Sequence, residues 1–222
     1  LSEGALAALD AVERATGTPD VNMVGYCLGG TLLACTLAYL AAHDDNRVKS
    51  ATFFASLVDF SDPGELGLFI DDDYLDAIDA KMSRDGVLDG AAMATTFNSL
   101  RANDLIWNFV VNNYLMGKEP FPFDLLYWNS DSTRMPRAMH SFYLREMYKK
   151  NLLREPGGIT LHQTPIDLRA VKTPIYIVSP KEDHIAPWQA TYAATGLYAG
   201  SIRFVLAGSG HIAGIINPPA AK

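Results

Sequence analysis

Three residues of this chain have the types and settings for acyl chemistry. Cys27 lies in Gly25-Tyr26-Cys27-Leu28-Gly29-Gly30, Asp183 in Glu182-Asp183-His184-Ile185, and His211 in Gly208-Ser209-Gly210-His211-Ile212. In the order thiol, carboxylate, imidazole they could carry out nucleophilic acyl transfer. The imidazole takes the thiol proton, the carboxylate fixes the imidazole, and sulfur attacks an acyl carbon. Small residues around Cys27 suit a tight strand-to-helix turn that strains the nucleophile's backbone and brings the helix close to the strand. The start of the following helix favours the thiolate, and the backbone N–H of Leu28 would be one oxyanion donor. A thiol at this apex suits acyl groups that arrive as thioesters. Transfer from one sulfur to another is nearly thermoneutral, whereas a serine ester would lose the activation. Such a site favours passing the acyl group to an alcohol over hydrolysis, provided water is kept out.

The remaining candidates carry less. Cys35 falls on the body of the helix after the turn and reads as a small buried hydrophobe. His184 competes with His211, but it directly follows Asp183, while His211 follows a strand of its own. His43, His140 and His162 read as surface or packing residues. No His or Cys pair has metal-ligand spacing, and the glycine turn lacks both GxGxxG and a following Lys-Ser/Thr, so it is not a phosphate loop.

The elements that must position these residues follow from apolar patterning. Residues 6–15 read as a helix ending at Thr18-Pro19-Asp20, residues 21–24 as a short buried strand, 31–42 as a helix and 48–57 as a strand. This rhythm implies parallel strands joined by crossover helices. From 59 to 163 it gives way to loops and helical patterns near 74–82, 91–97, 105–114 and 140–151, with no strand-like alternation and many aromatic residues. Strands return at 174–178 and 202–206, with a helix at 188–198 between them. Cys27, Asp183 and His211 each fall just past the C-terminal end of a strand, the edge where open parallel sheets place their sites. The chain is expected to be an α/β protein with the α/β-hydrolase fold, a partial and mostly parallel sheet. Its core would be 1–58 and 164–222. The insertion, 59–163, would be a largely helical cap that excludes water and lines an acyl tunnel.

Bulk properties narrow the function class. The chain has 222 residues, 49% hydrophobic and 19% charged, with a net charge of −7. This is an ordinary globular balance, and the acidic charge argues against nucleic-acid binding and a basic membrane-surface patch. No run is long enough to span a bilayer as a helix. Two cysteines eight apart, in and beside one helix, argue against a disulfide and fit a reducing cytoplasm. The sequence reads as an internal segment of a longer protein. Its strand at 21–24 is expected to leave an unpaired edge, so that the isolated segment would fold poorly and be inactive.

The stretches "GYCLGGTLL", "ATFFASLVDFSDPGELG", "LRANDLIWNFVVNNYLMGKEPFPFDLLYWNSDSTRMP", "PGGITL", "EDHIAPW" and "RFVLAGSGHIAGIINPP" resemble the polyhydroxyalkanoate synthases, most like those of class I. The resemblance covers essentially the whole chain. It implies Cys27, Asp183 and His211 as the catalytic residues. It also implies polymerisation of (R)-3-hydroxyacyl-CoA, typically the 3-hydroxybutyryl thioester, with release of CoA. His211 would deprotonate Cys27, and Asp183 would orient His211 or help activate the 3-hydroxyl. No cofactor is implied beyond the CoA thioester as substrate. A homodimer at the polyester granule surface in the cytoplasm is implied, with Trp128 in a stretch associated with the cap. Arg101, Lys118, Arg134 and Arg137 are the nearest candidates for contacts to CoA. Two other readings share part of this signal. One is a cysteine hydrolase of the thioesterase or dienelactone-hydrolase kind, which would not need the aromatic insertion. The other is a non-catalytic granule-associated subunit, against which all three triad members are present.

Overall fold

The computed structural model describes residues 1–100, 102–120 and 131–217. In chain order its elements are α1 (Ala7–Thr16), β1 (Val21–Tyr26), α2 (Leu28–Ala42), β2 (Val48–Phe54), α3 (Asp72–Asp85), β3 (Val87–Leu88), α4 (Gly90–Leu100) and β4 (Met135–Pro136). A short helix (Arg137–Phe142), β5 (Thr160–Leu161), β6 (Thr164–Pro165), β7 (Ile175–Pro180), a helix at Trp188–Ala193 and β8 (Ile202–Ala207) follow. They form two compact units, one of Leu1–Gly67 with Glu146–Lys222 and one of Leu68–Arg145.

The first unit is built on a four-stranded sheet in the order β1-β2-β7-β8, with every neighbouring pair parallel. Tyr26 pairs with Phe54, Phe54 with Val178, and Pro180 with Ala207. The C-terminal ends of β1, β7 and β8 therefore reach one edge of the sheet. The inner strands bury Ala51, Phe53, Ile175 and Ile177. The helix α2 is apolar almost all round, as a helix packed into a core must be, and buries Leu33, Ala34, Leu37, Ala38 and Leu40. Among the described residues β1 is an outer strand, and its Val24 is 65% exposed.

Two boundaries differ from the sequence reading for local reasons. The helix after the turn begins at Leu28 rather than 31, because the N–H groups of Gly30 and Thr31 already bond to the Cys27 carbonyl at 2.9 and 3.4 Å. The glycines thus form its first turn. The strand β2 stops at Phe54 rather than running to 57, because Ala55 takes φ +46° and turns the chain out of extended geometry.

The second unit packs α3 against the Arg137–Phe142 helix. Asp71 caps α3 by accepting the Tyr74 N–H at 2.7 Å. The Arg145 guanidinium binds Asp76 at 2.6 Å and Asp79 at 2.7 Å, and Ser141 donates to Asp79 at 3.1 Å. Leu75, Met82 and Leu88 form its buried core. The sequence showed no strand here, yet β3 and β4 pair antiparallel, Val87 with Pro136 and Leu88 with Met135. A two-residue strand is too short for alternation to reveal. Residues 103–107 and 110–115 form wide π-type turns. Arg101 and Trp128 lie outside the described residues.

Candidate active site

The cysteine sits where β1 gives way to α2, with φ +52° and ψ −124°. For a residue with a Cβ this is a strained conformation, and it is held from several directions. The Cys27 N–H donates to the Phe54 carbonyl at 2.9 Å, which anchors the turn to β2. The helix passes so close behind the strand that a Cβ on Gly25 would lie 2.6 Å from the Gly30 Cα. A Cβ on Gly30 would run into the Ser56 side chain. Leu28 is the first residue of α2, so its N–H is among the donors that every helix start leaves without an intrahelical acceptor.

Asp183 follows β7 and its side chain is fully buried. Its two oxygens do different work. Oδ1 accepts the N–H groups of Ile185 and Ala186, each at 2.9 Å, which shapes the loop. Oδ2 lies 2.8 Å from His211 Nδ1. A buried carboxylate facing a ring nitrogen accepts, so Nδ1 carries the proton and Nε2 is left for a second partner. The loop-forming and imidazole-orienting readings of Asp183 therefore both hold for its geometry. His184, the competing histidine, is the next residue along.

His211 follows β8 and is 8% exposed. Its loop is tied to the loop of Asp183 by the Lys181 N–H to the Ala207 carbonyl (2.8 Å) and the Glu182 N–H to the Ser209 carbonyl (3.0 Å). Burial alone would disfavour a charged ring here. The hydrogen bond to Asp183 and the interaction with the Cys27 sulfur outweigh it, and the ring's pKa rises to about 9. The three residues from three separate strand ends thus form one group, with an imidazole disposed to hold a positive charge at neutral pH.

Cys35 does not join them. It is buried in α2, and burial pushes its thiol up to about 12; such a thiol is inert. Both cysteines are free. Among the described residues no group of three or more His, Cys, Asp or Glu side chains is placed to hold a metal ion, and no helix is long and apolar enough to cross a membrane.

Sequence reasoning missed Tyr26. Its hydroxyl donates to the His211 carbonyl at 2.9 Å, and its ring stacks on the imidazole with centroids 5.3 Å apart and planes 23° from parallel. The residue was in view beside Cys27, but its partner is 185 positions away and only the fold brings them together. Also missed was a brace in the loop that follows β2. Buried Asp59 accepts from Asn151 Nδ2 (2.8 Å), Arg154 (3.0 Å) and the Ser61 N–H (2.9 Å).

Comparison with known proteins agrees with this architecture. The chain is 54% identical over 218 residues to the poly(3-hydroxyalkanoate) polymerase subunit PhaC of Rhizobium meliloti (strain 1021), a match covering 98% of this chain and 36% of that protein. It is 50% identical over 222 residues to the poly(3-hydroxyalkanoate) polymerase of Methylorubrum extorquens, covering 100% of this chain and 36% of that one. The chain therefore spans little more than a third of the length of these curated relatives. The resemblance to polyhydroxyalkanoate synthases read from the motifs is borne out at the level of sequence. Among solved structures, the esterase EaEST from Exiguobacterium antarcticum superposes with a TM-score of 0.52 at 16% identity, over 94% of this chain and 66% of that one, a likeness of fold alone. The family described as alpha/beta hydrolase fold matches residues 3–218, and with a parallel sheet whose strand ends gather Cys27, Asp183 and His211, the chain belongs to that family.

Proposed function

We propose that this chain is the catalytic segment of an acyltransferase that polymerises (R)-3-hydroxyacyl-CoA, with 3-hydroxybutyryl-CoA the expected unit, into polyhydroxyalkanoate. One observation carries the reading. A cysteine, not a serine, stands at the strained turn beside a paired His211–Asp183, in a chain 54% identical to a poly(3-hydroxyalkanoate) polymerase. The Cys27 thiol gives its proton to His211 and the sulfur attacks the thioester carbon. The oxyanion formed there is met by the Leu28 N–H. The tetrahedral intermediate collapses by breaking the bond to the CoA sulfur, which leaves as the thiol with the proton from His211. The acyl group now rests on Cys27 as a thioester of nearly the same energy. In the next transfer a 3-hydroxyl attacks an acyl thioester and gives its proton to His211 or Asp183 as general base. The ester bond forms as the carbon–sulfur bond breaks. No cofactor is required beyond the CoA thioester as substrate.

The insertion, 59–163, is proposed as a cap that keeps water from the thioester. Its support is the apolar character of Ile106, Trp107, Phe109, Tyr114 and Leu115, all substantially exposed. Exposed Lys118, Arg134 and Arg137 are proposed contacts to CoA. A homodimer at the granule surface in the cytoplasm completes the reading.

The test uses the full-length parent protein. It is incubated with 3-hydroxybutyryl-CoA, thiol release is followed, and the Cys27 peptide is searched for adducts by mass spectrometry, with Cys27→Ala as control. Oligomeric hydroxyacyl adducts, lost in the control, are expected. Release of CoA with only free monomer would replace the reading with a thiol hydrolase, and no release with a non-catalytic subunit.

A further inference from the structure

We propose that Tyr26 is a positioning residue for His211, tying the imidazole to the nucleophile from the nucleophile's own strand. The inference rests on reading Cys27 as the nucleophile and His211 as its base.

His211 sits in a loop that needs ties. Gly208 and Gly210 precede it, and Ser209 between them takes φ +66°. Toward β7 the loop is held by Glu182 and by the Asp183 carboxylate. Toward the turn that carries Cys27, the tie is Tyr26. Its hydroxyl holds the His211 backbone at 2.9 Å while its ring lies over the imidazole. The bond fixes where the residue's backbone sits, and the stack fixes the plane of the ring. A stacked aromatic face also favours a charged imidazole over a neutral one. Tyr26 is the last residue of β1 and directly precedes Cys27, so the tie and the sulfur share one rigid strand end. A shift of the base by about 1 Å is enough to cost acyl transfer heavily.

The hydroxyl is suited to lasting donation. Burial, with the charges of Cys27 and Asp183, holds its acidity well below that of a free phenol. The charged groups acting on His211 are Asp183 and Cys27, and the Tyr26 hydroxyl meets its backbone. Tyr26 cannot compete as a proton source in the working range.

Two variants separate the two contacts. Tyr26→Phe keeps the ring and removes the bond, while Tyr26→Leu removes both. In the full-length protein, alkylation of Cys27 by iodoacetamide is followed from about pH 5 to 10, peptide by peptide. This readout needs no turnover, so it stands apart from the test of the polymerase reading. For Tyr26→Phe we expect alkylation near pH 7 to slow about three- to tenfold, the effect of one lost hydrogen bond. The rate should converge on that of the unchanged protein toward pH 10, above the value of about 9 to which His211 is raised, where the ring has lost its charge in both. Tyr26→Leu should slow it further. Cys35 should stay protected in both, which reports an intact core. An unchanged alkylation profile in Tyr26→Phe would overturn the inference. So would slowing by the same factor at every pH, or Cys35 becoming labelled, since either means a general structural role. Tyr26→Phe decides the matter if Tyr26→Leu does not fold.

Discussion

The Asp183 carboxylate meets the His211 imidazole at 2.8 Å across 28 residues of chain, and the same carboxylate is held on its other oxygen by two backbone N–H groups. The acid is therefore fixed before it orients anything. Its buried charge is compensated from one side by the loop and from the other by the ring.

Asp183→Asn tests the electrostatic half of this relationship. The amide can still fill the space and its oxygen can still accept the Ile185 and Ala186 N–H groups, but it brings no charge and turns an NH2 donor toward His211 Nδ1. The support that lifts His211 to about 9 is then reduced, and burial pulls the ring back toward neutrality. We expect CoA release to fall by at least about a hundredfold, with an orienting acid lost from a triad. The imidazole titration, followed by NMR of labelled histidine, should move down by a unit or more. An unmoved titration would mean that Asp183 does not charge the ring.

Stability against pH has a definite sign here. A histidine whose pKa is raised to about 9 in the folded protein, against an ordinary value near 6.5, binds its proton more tightly when folded. Its contribution is fully present below about pH 6.5 and is lost as pH rises through about 9. The contribution is at most about 3.5 kcal/mol, since each pKa unit corresponds to about 1.4 kcal/mol. Chemical denaturation of the full-length protein at pH 6 and pH 10 should show the decline, and His211→Gln should flatten it. A decline equally steep in the variant would assign it elsewhere.

Much of this site could be read from the chain because its parts are local. The glycine frame of Cys27 lies within six residues, and Asp183 and His211 each end an apolar run that is plainly a strand. What joins them is not local. The Tyr26 hydroxyl and the His211 carbonyl meet through the parallel order β1-β2-β7-β8, and nothing in either segment announces the other. Asp59 was hidden for the same reason. In sequence it is one acid in a loop, and only the fold brings Asn151 and Arg154 to it. Boundaries shifted where single backbone angles decide, as at Ala55. The pair β3 and β4 escaped because two residues carry no period.

Asp59 should matter for stability rather than chemistry. It is 4% exposed. Burial works against its charge, but the Asn151 side chain, the Ser61 backbone and Arg154 hold its carboxyl below the ordinary carboxylate range. Asp59→Ala strips the Phe60–Ser61 turn and Asn151 of their partner and should destabilise the protein by about 2–4 kcal/mol. The depressed acid contributes stability above the ordinary carboxylate pKa and loses it as pH falls through the folded value. The variant should therefore show a weaker acid dependence in denaturant titrations between about pH 3 and 6. A loss under about 0.5 kcal/mol would mean that the loop is held by other contacts.

The turn at Cys27 needs its glycines because of what lies against them. A methyl group on Gly30 would run into the Ser56 side chain and lie 3.3 Å from the Phe53 ring. Ser56 is buried and donates to the Phe54 carbonyl at 2.8 Å, so swinging away would cost its hydroxyl that bond. The strain would be relieved by pushing α2 off the sheet, which moves Leu28 and Cys27 with it. Gly30→Ala should cost about 1–3 kcal/mol, as overpacking does, and should depress CoA release more than it depresses stability. Ser56→Gly in the same chain removes the obstructing atoms and should restore part of both, measured as unfolding free energy and as thiol release. If the double variant recovers stability but not activity, Ser56 itself has a role at the turn. If it recovers neither, the Phe53 ring is the obstruction that matters. The analogous substitution at Gly25, whose three nearest atoms are all backbone of the Gly29–Gly30 pair, has no such remedy and should be the more damaging of the two.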